Sequence, residues 1–166
     1  MIIRMAHLKD VPEIADLINN YAKAGLMLPR SHPELIELIR GFSVAEEEID
    51  IVACCNARIW GGSNEIEIAS LVVDEKHQRK GIGTKLVRFC MDEAIKLGFT
   101  DFFALTYRRE FFEKLGFRLD RRESLSQKAW TDCIRCPKYH CCDENVMRWE
   151  KSPSFRFPPK CGRDEE

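Results

Sequence analysis

Apolar positions change their period several times along the chain, and each change marks an element. Ile2 to Met5 is a short apolar run that reads as an edge strand. Val11, Ile14, Leu17, Ile18 and Tyr21 then recur at helical spacing. Asp10 with Glu13 forms a capping box for that helix, Pro12 fits its first turn, and Gly25 stops it. A second helix, opened by Ser31 and Glu34 and closed at Gly41, carries Leu35, Leu38 and Ile39 on one face. Two strands follow, 42–46 and 49–59, joined by an acidic turn. Gly61, Gly62, Ser63 and Asn64 are a turn signal, and the central strand runs from about Glu65 to Val73. Leu86, Cys90, Ala94 and Leu97 mark a long helix ending at Gly98. Beyond it lie a strand at 102–106, a short helix at 110–115 closed by Gly116, and a strand beginning at 117–119. The pattern loosens after Ser124, with a helix at 125–130 and a last strand at 146–149. This order predicts one α/β domain on a mixed sheet over residues 1–150, with a cysteine-rich insertion at about 131–144. The proline-rich, charged residues 151–166 read as a flexible tail.

Composition narrows the class. The 166 residues are 45% hydrophobic and 32% charged, ordinary for a globular chain with its own core. A net charge of -1 gives no footprint for nucleic acid or a membrane surface. No apolar run approaches the roughly 20 residues of a membrane span, and the N-terminus carries no secretion signal. The expected location is the cytoplasm, where thiols stay reduced. The oligomeric state is left open, a homodimer included.

The most informative stretch is 66–84. An apolar strand leads through a charged connection into Gln78, Arg79, Lys80, Gly81, Ile82, Gly83 and Thr84, and then into a helix. Glycines let the backbone take unusual φ and let a ligand come close. The first N–H groups of the helix have no internal partner, the helix dipole adds positive charge, and Arg79 and Lys80 add more. An anion is welcome there. The spacing Q-x-x-G-x-G is neither the dinucleotide fingerprint nor the P-loop, so the pattern by itself is weak.

In context the block LVVDEKHQRKGIGTKLV, with FFEKLGF at 111–117, resembles the GNAT superfamily of acetyl-CoA-dependent N-acetyltransferases. The resemblance covers roughly residues 2–149. It implies an α+β fold whose mostly antiparallel sheet has a splayed, bulged central strand, with acetyl-CoA as co-substrate in the gap. It also implies that Leu71, Val72 and Val73 pair with the pantetheine arm and that Gln78 to Thr84 hold the pyrophosphate. More narrowly, GLMLPRS (25–31), FALTYRREFFEKLGF and DCIRCPKYHCCDE (132–144) are similar to the acetyltransferase domain of N-acetylglutamate synthases of the short stand-alone type. That likeness implies transfer to the α-amino group of L-glutamate, the first step of arginine biosynthesis. The chain lacks the amino-acid-kinase-like domain of longer synthases, so arginine feedback through it is not expected.

The reaction needs a base, because an amino acid is mostly ammonium at neutral pH. Glu67 matches the position of the family's base glutamate, and Glu65 shares its face. Its plainer reading is a surface or ion-paired strand residue. Backbone N–H near Val72 or Val73 would polarise the thioester carbonyl. Where many relatives carry a tyrosine as general acid this chain has Phe112, so the candidates are Tyr107 and solvent. Arg30 suits a substrate carboxylate through its bidentate guanidinium, set against a merely solvated loop charge. Lys23, Arg108 and Arg109 are candidates for a second anchor. Cys133, Cys136, Cys141 and Cys142 put four thiols in ten residues beside His140. They admit three readings: a zinc site, reduced thiols packing a loop, or a redox role. Cys54, Cys55 and Cys90 fall in apolar patterns and read as core. Three functions follow: acetylation of glutamate, acetylation of another small or protein amine, or a catalytically weak metal or redox module on this scaffold.

Overall fold

The computed structural model describes residues 1–60, 64–125 and 130–150. The glycine turn at 61–63, residues 126–129 of the expected 125–130 helix, and the tail with Cys161 lie outside them. The elements in order are β1 (Ile2–Met5), α1 (Val11–Lys23), α2 (His32–Leu38), β2 (Phe42–Glu47), β3 (Asp50–Ile59) and β4 (Glu65–Val73). Then come α3 (Ile82–Lys96), β5 (Asp101–Thr106), α4 (Arg109–Lys114), β6 (Arg118–Asp120), α5 (Trp130–Ile134) and β7 (Asn145–Glu150). The seven strands form one sheet in the order β1-β2-β3-β4-β5-β7-β6. Among the described residues only β4 and β5 pair in parallel; the other neighbours are antiparallel. The expected mixed, mostly antiparallel sheet is therefore the observed one. The last strand inserts between β5 and β6.

Alternation along each strand divides the apolar residues between two faces. Ile66, Ile68 and Phe102 pack with Leu86, Val87 and Cys90 of α3 on one face. Val44, Cys54 and Val72 meet Val11, Ile14 and Ile18 of α1 and Leu35 of α2 on the other. A smaller cluster of Trp60, Phe103, Leu125 and Val146 extends the second face beyond β4. Cys54, Cys55 and Cys90 are buried in these cores.

Two features of β4 open the sheet. Its pairing with β5 runs only from Glu65–Asp101 to Glu67–Phe103, after which the strands part. On its other side Cys54 pairs Val72 and Asn56 pairs Ala69, so Ser70 and Leu71 together oppose Cys55. This is a β-bulge. Ser70 sits at φ +50, and its carbonyl accepts a 3.6 Å bond from the Cys54 thiol.

The caps agree with the sequence at α2 and differ at α1. Ser31 and Glu34 cap α2 reciprocally. Asp10 opens α1 without a cap bond, because its carboxylate is taken by the Arg4 guanidinium at 2.7 and 3.1 Å and by the His7 N–H at 2.7 Å. Arg4 holds that carboxyl below its usual range. Glu13 instead accepts the Ile51 N–H at 2.9 Å, tying α1 to the start of β3.

Candidate active site

The site lies where β4 and β5 part. Glu67 is the last β4 residue paired with β5, so its side chain stands at the apex of the opening. The Trp60 indole N–H donates to its carboxylate at 3.0 Å. Arg58 is the cross-strand partner of Glu67 and shares its face. Its guanidinium lies 4.1 Å over the Trp60 ring. Arg58, Trp60 and Glu67 thus form a stacked, hydrogen-bonded group at the apex. Glu65, on the same face, belongs to another network. It is buried and meets Arg148 at 3.1 Å, and Arg148 also holds Asp101 and Asp120, each at 2.7 Å. That network ties β4, β5, β6 and β7 together below the opening.

Arg30 is 9% exposed. Asn19 of α1 fixes its backbone twice, donating to its carbonyl and accepting from its N–H, each at 3.0 Å. The expected fixing of this residue by Pro29 and the α2 cap is thus completed by a side chain that sequence did not single out. Lys23 is exposed on the last turn of α1, and Arg108 is exposed at the start of α4. Arg109 pairs with Glu113 at 2.7 Å. None of the three is a cross-strand partner of Glu67, as Arg58 is. The signal that could have found Arg58 was its register: only pairing β3 with β4 puts it opposite Glu67.

At the far end of β4 the backbone prepares the turn. Arg79 and Gly81 have φ +61 and +76. The first helical bond there runs from the Lys85 N–H to the Gly81 carbonyl at 3.1 Å. The N–H groups of Ile82, Gly83 and Thr84 lie in the first turn of a 15-residue helix, where no intrahelical acceptor reaches them. Arg79 and Lys80 are exposed beside them. The donor set suits a pyrophosphate. Leu71 and Val73 pack toward the α3 core, and Val72 is buried under α1. Gln78 turns back from the turn: its amide donates to the Tyr21 hydroxyl at 2.6 Å and to the Val73 carbonyl at 3.2 Å.

The cysteine-rich segment is tied to α2 and to the end of β5. Arg135 pairs with Glu34 of α2 at 2.6 Å. Lys138 reaches the Tyr107 hydroxyl at 3.0 Å and lies 4.9 Å over its ring. Burial pushes the Tyr107 phenol up, against the lowering effect of Lys138. Cys133 is pushed up to about 11 by burial first, then by Cys142 and by the charge of Glu67. That thiol is neutral at ordinary pH and a poor nucleophile. Cys142 donates weakly to Glu144 at 3.8 Å. Among the described residues, no group of three or more His, Cys, Asp or Glu side chains is placed to hold a metal ion. Phe112 is buried between Phe111 and Phe117 in edge-to-face contact at 5.2 and 5.1 Å, a packing residue.

A model of the acetyltransferase (GNAT) family matches residues 13–117. The chain is 37% identical over 145 residues to an uncharacterized N-acetyltransferase of Chlorobaculum tepidum, which spans 87% of this chain and 93% of that protein. It is 32% identical over 131 residues to the amino-acid acetyltransferase of Neisseria meningitidis, covering 78% of this chain but 30% of that longer enzyme. Among solved structures, the N-acetylglutamate synthase of Neisseria gonorrhoeae complexed with coenzyme A and N-acetyl-glutamate aligns with a TM-score of 0.81. That alignment has 27% identity over 90% of this chain and 34% of that one.

Proposed function

Since the chain belongs to the acetyltransferase (GNAT) family, we propose that it acetylates the α-amino group of L-glutamate, the opening step of arginine biosynthesis. It is an acyltransferase, and acetyl-CoA supplies its acetyl group as a thioester. The observation that carries the reading is the apex of the opening. A carboxylate, Glu67, stands opposite Arg58 on one face of the sheet, and Arg30, its backbone fixed to α1 by Asn19, comes from the loop before α2 as the second cation of the reading. A dicarboxylic amino acid needs a base at its amine and a cation for each carboxylate. The names of the amino-acid acetyltransferase and N-acetylglutamate synthase relatives support the same class.

In this reading Glu67 takes a proton from the acceptor ammonium, held for the purpose by the Trp60 indole N–H. Arg30 and Arg58 hold the two carboxylates and orient the amine. The first-turn N–H groups of α3, with Arg79 and Lys80, hold the pyrophosphate. The edge of β4 from Leu71 to Val73 aligns the pantetheine arm, and its N–H groups near Val72 stabilise charge on the acyl oxygen. Tyr107 or solvent returns the proton to the departing thiolate. Residues 1–150 act as one catalytic unit, and the thiols of 133–142 pack a loop.

Release of coenzyme A thiol from acetyl-CoA, with a panel of L-amino acids, polyamines and a peptide amine, tests the proposal. Glutamate-selective turnover is expected, with Arg30→Ala raising the glutamate KM about 30-fold or more for loss of a charged hydrogen-bonded contact. Turnover that ignores glutamate removes glutamate and keeps the acetyltransferase, and glutamate-selective turnover that Arg30→Ala leaves unchanged removes Arg30 as the carboxylate anchor.

A further inference from the structure

Tyr21 entered the sequence reading only as one of the apolar-face residues of α1. In the structure it is half-buried and its hydroxyl is engaged at both ends. It donates to the Val73 carbonyl at 2.9 Å and accepts from the Gln78 amide at 2.6 Å, while the same amide donates to the same carbonyl at 3.2 Å. Three groups from two distant parts of the chain close a ring of hydrogen bonds. We propose that Tyr21 is a positioning residue for acetyl-CoA, fixing the corner between the two parts of its binding surface.

The corner needs fixing. Val73 is the last residue of β4, and Gln78 is the first of the turn that leads into α3. Between them lies one tight turn, residues 75–77, closed by the His77 N–H on the Asp74 carbonyl at 2.9 Å. The strand edge at 71–73 would align the pantetheine arm, and the turn at 78–84 would hold the pyrophosphate. One molecule spans both, so their spacing and angle decide whether both can be engaged together. The backbone of 74–77 sets part of that geometry. Tyr21 sets the rest by bonding to both ends of the corner from a helix packed against the sheet. Its own helix is anchored independently: Ile14 and Ile18 are fully buried against Val72 and Cys54. The phenol keeps its proton, because burial first, then the charges of Glu75 and Asp74, push it up against the opposing effects of Gln78 and Arg108. A carbonyl has two lone pairs, and at Val73 both are occupied by this ring. The geometry of that carbonyl is thereby fixed from outside the strand.

The inference rests on the acetyl-CoA reading, and the experiment separates the two. Coenzyme A affinity is measured by calorimetry, with acetyl-CoA KM, acceptor KM, kcat and Tm, for wild type, Tyr21→Phe, Gln78→Leu and the double variant. Tyr21→Phe keeps the ring packing and removes the hydroxyl. It should raise the coenzyme A Kd and the acetyl-CoA KM about five- to tenfold, the effect of one part-buried hydrogen bond lost with its partner left behind. kcat and acceptor KM should stay within twofold. The double variant should be no worse than the weaker single, because both act through one ring. Unchanged Kd in Tyr21→Phe, a fall in Tm alone, or additive effects would overturn the proposal. If Tyr21→Phe does not fold, an unchanged Kd in Gln78→Leu, an exposed position, overturns it equally. Wild type that fails to bind coenzyme A would instead strike at the acetyl-CoA reading itself.

Discussion

The two ends of the opening between β4 and β5 are built from different materials. At the turn end the ligand would meet main chain: the edge of β4, two positive-φ residues at Arg79 and Gly81, and the first turn of α3. All of it comes from one continuous stretch, 71–84. At the apex it would meet side chains: Glu67 from β4, Arg58 from β3 and Trp60 beyond it, with Arg30 between α1 and α2 as the proposed second cation. These are drawn from three separate parts of the chain, and the 130–144 segment is tied to α2 by Arg135 and to the end of β5 by Lys138. Main-chain donors recognise what every acetyl donor shares. Side chains recognise what distinguishes one acceptor from another. The two ends can therefore change independently, and variants at each should move different constants.

The largest separation should come from Glu67→Gln. Gln keeps the shape and can still meet Trp60, but it does not take a proton. kcat should fall about 10²–10⁴-fold, the range for loss of a general base. Coenzyme A Kd should hold within twofold, since no donor of the turn is touched. Single-turnover kinetics with saturating acetyl-CoA would read the first number and calorimetry the second. A Kd that rises with the loss of kcat would mean that the two ends are coupled and that the comparison is wrong.

The same contrast explains what sequence could reveal. The geometry of the turn end was legible because it follows from local rules: a strand, a glycine at positive φ and a helix start lie in consecutive residues, an arrangement that favours an anion. Element boundaries were legible for a related reason. β4 runs from Glu65 to Val73 as periodicity indicates, and Gly25, Gly98 and Gly116 all take positive φ at helix ends. The apex was only partly legible. Glu67 was singled out by its resemblance, but Arg58 depends on cross-strand register and Asn19 on the packing of α1, neither of which a linear pattern encodes. Asp10 teaches the same point. Its capping signature was present, yet Arg4 and His7 had the stronger claim on its carboxylate. The insertion of β7 between β5 and β6 is a topological fact of the same kind.

Gly81→Val sharpens the comparison from the turn end. Gly81 sits at φ +76, and a Cβ there would meet nothing within 4 Å. The substitution therefore acts through the backbone alone. A β-branched residue in this region costs about 1–2 kcal/mol, or roughly tenfold in affinity if the turn relaxes to escape it. Coenzyme A Kd should rise about tenfold while acceptor KM at saturating acetyl-CoA stays put. Gly81→Asn, which tolerates left-handed backbone, should recover most of the loss.

The smallest effect tests whether the 130–144 segment belongs to the acceptor end. Arg135 meets Glu34 at 2.6 Å, and both are partly exposed. Such pairs contribute about 0.2–1 kcal/mol, so Arg135→Ala should raise the acceptor KM only about two- to fivefold. It should leave coenzyme A Kd unmoved. The pH dependence gives an independent check. Arg135 first, then the Ser31 N–H and hydroxyl, hold the Glu34 carboxyl down at about 2. A lowered folded value means that the tie is fully present above the ordinary carboxylate range and is lost only as pH falls toward about 2. Protection factors across 131–144, taken relative to the intrinsic exchange rate at each pH, should thus be flat from neutral pH down to about 5 and fall only in strong acid. In Arg135→Ala protection at neutral pH should already be lower by up to about fivefold, with its acid dependence weakened. A segment that stays protected in the variant would be held by something other than this pair, and the acceptor end would then owe its closure to Lys138 and Tyr107.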